Sequence, residues 1–160
     1  MFSDIFKRSN STSLEKCTYK NTERFSFDGL TYNAKCVKVY DGDTITVACL
    51  LFGKLQKFSV RMLKYDSPEV GHRAKSPAEK AWGSVAKEIL EKKILNKIIT
   101  LRCGKFADGY GVRVLGEVIC DGENINDFML TQSFIKPCSG TRGAWEFTKM
   151  PDGSLVEKTL

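Results

Sequence analysis

Two spacings of apolar residues alternate along the chain and divide it into elements. In RFSFDGLTYNAKC, apolar positions alternate on both sides of Asp28-Gly29, a pair suited to a tight hairpin turn. The period of two continues through AKCVKVY, TITVACLLFG and KFSVRMLKY, with turns expected at Asp41-Gly42 and Phe52-Gly53. From Ser76 to Leu95 the period lengthens to that of a helix. Ser76 and Glu79 predict a capping box, and Pro77 falls in the first turn, where its missing N–H costs nothing. Ala81, Trp82, Val85, Ala86, Ile89 and Leu90 read as one apolar stripe, with Lys80, Lys87 and Lys92 on the solvated side. Two further strand runs, KIITLRC and VRVLGEVIC, flank FADGYG. Asp121-Gly122 then marks a turn, and INDFMLTQSF reads as a short second helix.

Five strands of this length leave exposed edges in an open sheet, and closure removes them. The expected architecture is therefore mainly β with helices (α+β): a five-stranded barrel of the OB type, one long amphipathic helix and a short second helix. Residues 1–24, polar and irregular, read as an extension that is partly disordered, 25–147 as the domain, and 148–160 as a tail.

Composition narrows the partners. Lys and Arg number 25 against 19 Asp and Glu, so the chain carries a net positive charge that attracts polyanions. No apolar run is long enough to span a bilayer, and MFSDIFKRSN lacks the apolar core of a secretory signal. The six cysteines form no C-x-x-C pair, which gives zinc little support, and several sit inside strand-like runs as small core residues. Reduced cysteines and an intracellular setting are favoured, with the compartment left open.

Two segments carry candidate chemistry: Tyr40-Asp41-Gly42-Asp43-Thr44, entering a strand, and Arg61 through Asp66-Ser67-Pro68-Glu69, leaving one. The glycine turn lets Asp43 point into a cleft at the barrel rim. Pro68 fixes its own dihedral and biases Ser67 to extended backbone, which spaces Asp66 and Glu69 rigidly. Carboxylates gathered on one rim repel each other, and a hard divalent cation relieves that repulsion. Singly, each acid is as well explained as a turn or cap residue; D-G-D-T followed by R-x-x-x-x-D-S-P-E is far harder to obtain by accident. His72, in the following loop, is a rival base, although a lone loop histidine is more often incidental.

With these segments, and with DGYGVRVLGEVICDG followed by IND, the sequence resembles the staphylococcal nuclease-like family across Tyr32 to Lys136. The resemblance implies one calcium ion per chain, held by Asp43, Asp66 and the backbone carbonyl of Ser67. It implies Glu69 as general base, Arg61 and Arg113 on the phosphate, and Tyr110 on a substrate phosphate. It also implies hydrolysis of DNA and RNA, single strands favoured, leaving 3′-phosphate and 5′-hydroxyl ends, by a protein expected to be a monomer. Calcium affinity is expected to be weak, about 10⁻⁴–10⁻³ M.

The family's Asp-Lys-Tyr-Gly-Arg here reads Asp108-Gly109-Tyr110-Gly111-Val112-Arg113, with one extra residue. Arg113 is assigned by its place before Val-Leu-Gly-Glu, with a bulge at the glycines to absorb the insertion. The family's base-stacking tyrosines are replaced by Ile135-Lys136-Pro137-Cys138-Ser139-Gly140. Trp145 and Phe147 are expected to anchor structure rather than stack on a base. The alternative reading is a non-catalytic OB-type module that binds nucleic acid or a protein.

Overall fold

Five strands close on one another because each buries one face and needs both edges paired. The protein is described by a computed structural model over residues 14–107, 113–140 and 143–156. Its elements are β1 (Thr31–Val39), β2 (Thr44–Leu51), β3 (Lys54–Met62), β4 (Tyr65–Asp66), α1 (Pro77–Ile94), β5 (Ile98–Phe106), β6 (Arg113–Cys120), β7 (Glu123–Asn124), α2 (Ile125–Leu130) and β8 (Lys136–Pro137). β1 pairs antiparallel with β2 and β5, β2 with β3, and β5 with β6. A parallel pairing of β3 with β6 closes the barrel. The predicted α+β architecture, a five-stranded barrel with one long and one short helix, is what the chain adopts.

Period-two alternation decides what fills the barrel. Ile45, Val47, Val60, Met62, Leu101, Val114 and Val118 all point inward and are fully buried. Cys36, Cys49, Cys103 and Cys120 are buried with them, and every described cysteine is a free thiol. The expected two-residue turn at Phe52-Gly53 forms with both residues in the left-handed region, φ 50° and 75°, joining the pair Leu51 and Lys54.

Two expectations need correction. The Asp28-Gly29 turn forms, with Leu30 N–H donating to Phe27 O at 3.0 Å, but its upstream arm is not a strand. The backbone at the turn bonds to Cys103 of β5, the strand that pairs with Thr31–Lys35, and Phe27 inserts into the core. The buried face of α1 is also rotated from the predicted stripe. Ala78, Glu79, Gly83, Ala86, Leu90 and Ile94 are buried, whereas Ala81, Trp82, Val85 and Ile89 are half-buried. The cause is Gly83, where a Cβ would lie 2.2 Å from Glu69 O: only glycine lets the helix approach the Pro68-Glu69 backbone this closely. Trp82 is covered instead by Phe134 and Phe147, stacked at 4.9 and 5.7 Å, and Trp145 stacks on Phe147 at 5.8 Å. Trp145 and Phe147 thus fasten the carboxy-terminal segment to α1.

Asn126, at the start of α2, is fully buried and makes three hydrogen bonds. Its Oδ1 accepts from Val118 N–H at 2.9 Å, and its Nδ2 donates to Leu63 O and Gly116 O at 3.0 Å. It ties β6 to the turn after β3, which leads to the acidic segment.

Candidate active site

The Asp41–Thr44 turn is held from four sides. Tyr40 N–H donates to Thr44 O at 2.8 Å, and Asp43 N–H donates to Asp41 Oδ1 at 3.0 Å. The buried Tyr65 hydroxyl donates to Gly42 O at 2.8 Å. A Cβ at Gly42 would lie 2.6 Å from Ala86 Cβ and 2.8 Å from Ser67 Cβ, so glycine is required where the turn meets α1 and the acidic loop.

This turn delivers Asp43, only 1% exposed, to the acidic segment. Asp43 Oδ2 accepts from Ser67 N–H at 2.8 Å and from Ser67 Oγ at 3.0 Å. Asp43 Oδ1 accepts from Thr44 Oγ1 at 3.0 Å and lies 2.9 Å from Arg61 Nη1. The other terminal nitrogen of Arg61 pairs with Asp66 Oδ1. Arg61 alternates with the buried Val60 and Met62, so it stands on the outer face of β3. One guanidinium therefore bridges the two aspartates.

Asp66 owes its position to β4, where it pairs with Lys136 of β8. Glu69 is 7% exposed, and its backbone is fixed from the helix. Glu79 Oε1 accepts from Glu69 N–H at 3.3 Å, and Oε2 accepts from Lys75 N–H at 2.7 Å. The predicted capping box is therefore half formed. Ser76 Oγ does accept from Glu79 N–H at 3.1 Å, but the Glu79 carboxylate reaches past the cap to the acidic loop.

A cleft of about 780 Å³ gathers Asp41, Asp43, Arg61, Asp66, Glu69 and Arg113 along its walls. Arg113 faces this cleft because Val114, Gly116, Val118 and Cys120 alternate inward, leaving Arg113 on the same outer surface as Arg61. Tyr110, Val112 and the expected bulge lie outside the described residues. His72 is exposed on a short turn, Gly71–Arg73, and does not line the cleft.

Asp41 and Glu79 were not among the expected site residues. The sequence makes Asp41 a turn former, yet it is 4% exposed and its carboxyl is pushed up from 3.8 to about 7. Burial is the main cause, and the negative charges of Asp43 and Glu69 add to it. The D-G-D spacing was the available signal, since a turn at the glycine brings the flanking carboxyls to one side. Among the described residues, no group of three or more His, Cys, Asp or Glu side chains is arranged to hold a metal ion. Asp43 and Asp66 are joined by the Arg61 cation instead.

Residues 59–136 match the family model described as staphylococcal nuclease homologue. That segment includes Arg61, Asp66, Ser67, Glu69 and Arg113, while Asp43 precedes it. The chain is also 32% identical over 139 residues to an uncharacterized protein of Methanocaldococcus jannaschii, an alignment covering 74% of this chain and 64% of the relative. The chain thus spans less than two thirds of that relative's length. The chain is thus similar to the staphylococcal nuclease homologue family over residues 59–136, a segment that runs from within β3 through α2 and begins after β1 and β2 of the barrel.

Proposed function

We propose that the protein is a calcium-dependent phosphodiesterase that hydrolyses DNA and RNA, favouring single strands, and leaves 3′-phosphate and 5′-hydroxyl ends. The observation that carries this reading is the single cleft in which two outward-facing arginines, Arg61 and Arg113, meet the acids Asp43, Asp66 and Glu69. The donor set suits a hard cation. It consists of oxygens alone, and Asp43 and Asp66 lie close enough to reach one Arg61 side chain.

Asp43, Asp66 and the Ser67 carbonyl would hold calcium, which when bound neutralises phosphate charge and polarises water. Arg61 would offer its fork to one phosphate oxygen, and Arg113, on the neighbouring strand, would take another. Their planar donors stay protonated and match the charge that grows on the equatorial oxygens. Glu69, rigidly backed by Glu79, accepts the proton of the attacking water.

The bridge by Arg61 across both aspartates is the observation that favours a non-catalytic nucleic-acid-binding module instead. Incubation with labelled single-stranded DNA in millimolar calcium or EDTA separates the two readings. Calcium-dependent cutting supports the phosphodiesterase; binding unaffected by calcium, without cutting, supports the module.

A further inference from the structure

The outer face of β1, β2 and β3 continues the cleft into a second depression of about 990 Å³. Lys38, Thr46 and Ser59 line both spaces, so the two form one path. Strand register makes this path continuous. Lys38 pairs with Thr46, Thr46 with Ser59, and Ser59 with Arg113, a single row across four strands ending at the cleft-lining arginine. The next row outward sets Lys35 opposite Ala48 and Ala48 opposite Lys57.

Side-chain size and charge make this face a trough. Its floor is small, with Thr46, Ala48 and Ser59, and Lys35, Lys38 and Lys57 are placed on either side. Neither 31–40 nor 44–65 contains an Asp or Glu, so no acid of β1–β3 opposes a polyanion there. At the far end, the rings of Phe52 and Phe25 are 81% and 59% exposed, with centroids 6.0 Å apart. Phe52 sits at the tip of the β2–β3 hairpin and is not needed to fill the core.

We infer that this trough is a binding track for single-stranded nucleic acid, with phosphates on Lys38 and Lys57 and a base stacked on Phe52 beside Phe25. The inference rests on the phosphodiesterase reading for its starting point at Arg113. Cations interleaved with exposed aromatic rings are the pairing that holds single strands without regard to sequence. From Thr44 to Leu50 the strand runs about 20 Å at roughly 3.3 Å per residue, room for several nucleotides beyond the scissile one. A partner protein with an apolar surface is less well matched, because the trough joins the arginine cleft and carries lysines on its walls.

The test uses the full chain in EDTA, which prevents cutting, and anisotropy of labelled oligo-dT of about 4 and about 15 nucleotides, spanning typical site sizes for one barrel. The longer strand is expected to bind more tightly. Phe52→Asn, whose side chain tolerates φ 50°, is expected to weaken the longer strand about tenfold and leave the shorter unchanged, with Phe52→Trp restoring affinity. A variant with wild-type melting behaviour and undiminished affinity for the longer strand overturns the track. So does loss of self-association in the variant with DNA affinity intact, which would assign the patch to a second copy. The two readings fail separately: Phe52-dependent binding without calcium-dependent cutting overturns only the phosphodiesterase, and cutting with no role for Phe52 overturns only the track.

Discussion

Glu79 is buried in α1 with both carboxylate oxygens on backbone N–H groups of the acidic loop, at 3.3 Å to Glu69 and 2.7 Å to Lys75. Glu79→Gln keeps the size but replaces one acceptor with an NH₂ donor. That donor faces either Glu69 N–H or Lys75 N–H, so one buried amide loses its acceptor. A hydrogen bond to a charged group contributes about 1.5–3 kcal/mol, and leaving its partner unsatisfied costs about the same, so a stability loss of roughly 2–3 kcal/mol is expected. The functional loss should exceed what reduced stability explains. Glu69 would no longer be held, and misplacing a reacting group by about 1 Å costs on the order of 10²-fold in rate. Urea denaturation gives the first number, and kcat on single-stranded DNA, measured well below the unfolding transition, gives the second. Compensating gain by Glu79→Asp is not expected, because the shorter side chain cannot reach both amides. A folded Glu79→Gln protein that cuts at the wild-type rate would show that the helix does not position Glu69.

Other expectations follow from the same geometry. Gly83→Ala forces a methyl to within 2.2 Å of Glu69 O and should cost about 1–3 kcal/mol in urea midpoint analysis, with activity reduced alongside. Asp41, raised to about 7, keeps its proton in the folded state after the unfolded chain has lost its own near 3.8. In EDTA, the stability that this proton contributes is present below pH 4 and is lost as pH rises toward 7. Asp41→Asn retains Asp43, Glu69, Arg61 and Tyr65 around the site but cannot titrate, so its stability should fall less between pH 5 and 7.5; parallel curves would contradict the assignment. Arg61→Lys and Arg113→Lys should each lower kcat by about 10²–10³, since an ammonium cannot supply the planar fork.

Much of the fold was legible because the barrel strands keep a period of two over most of their length, with irregularities in β1 and β5, and their turns are marked by glycine. In the structure, counting back from the buried Val114 sets Arg113 on the outer face of β6. The sequence misled where tertiary pairing decides. Alternation around Asp28-Gly29 cannot reveal that the turn backbone bonds to Cys103 of β5. The apolar stripe of α1 could not show that Gly83, a residue with no side chain, would set the contact face. Asp41 and Glu79 were hidden for a related reason. Each is a normal choice for its local motif, a turn and a cap, and only the packing of α1 on the acidic loop makes either one a neighbour of Glu69. The bridge of Arg61 to Asp43 and Asp66 depends on β3 and the acidic segment meeting in space, which the spacing of the three residues does not reveal.

The central claim is that Glu69 takes a proton in calcium-dependent phosphodiester hydrolysis. It is tested most directly by single-turnover cleavage of labelled single-stranded DNA in millimolar calcium, wild type beside Glu69→Gln, with calcium binding measured on both by calorimetry. The account predicts weak calcium binding in both, near 10⁻⁴–10⁻³ M, rapid cutting by the wild type, and a loss of about 10²–10⁴-fold in the variant. Cutting that persists in EDTA, or a Glu69→Gln protein that cuts as fast as the wild type, would contradict it.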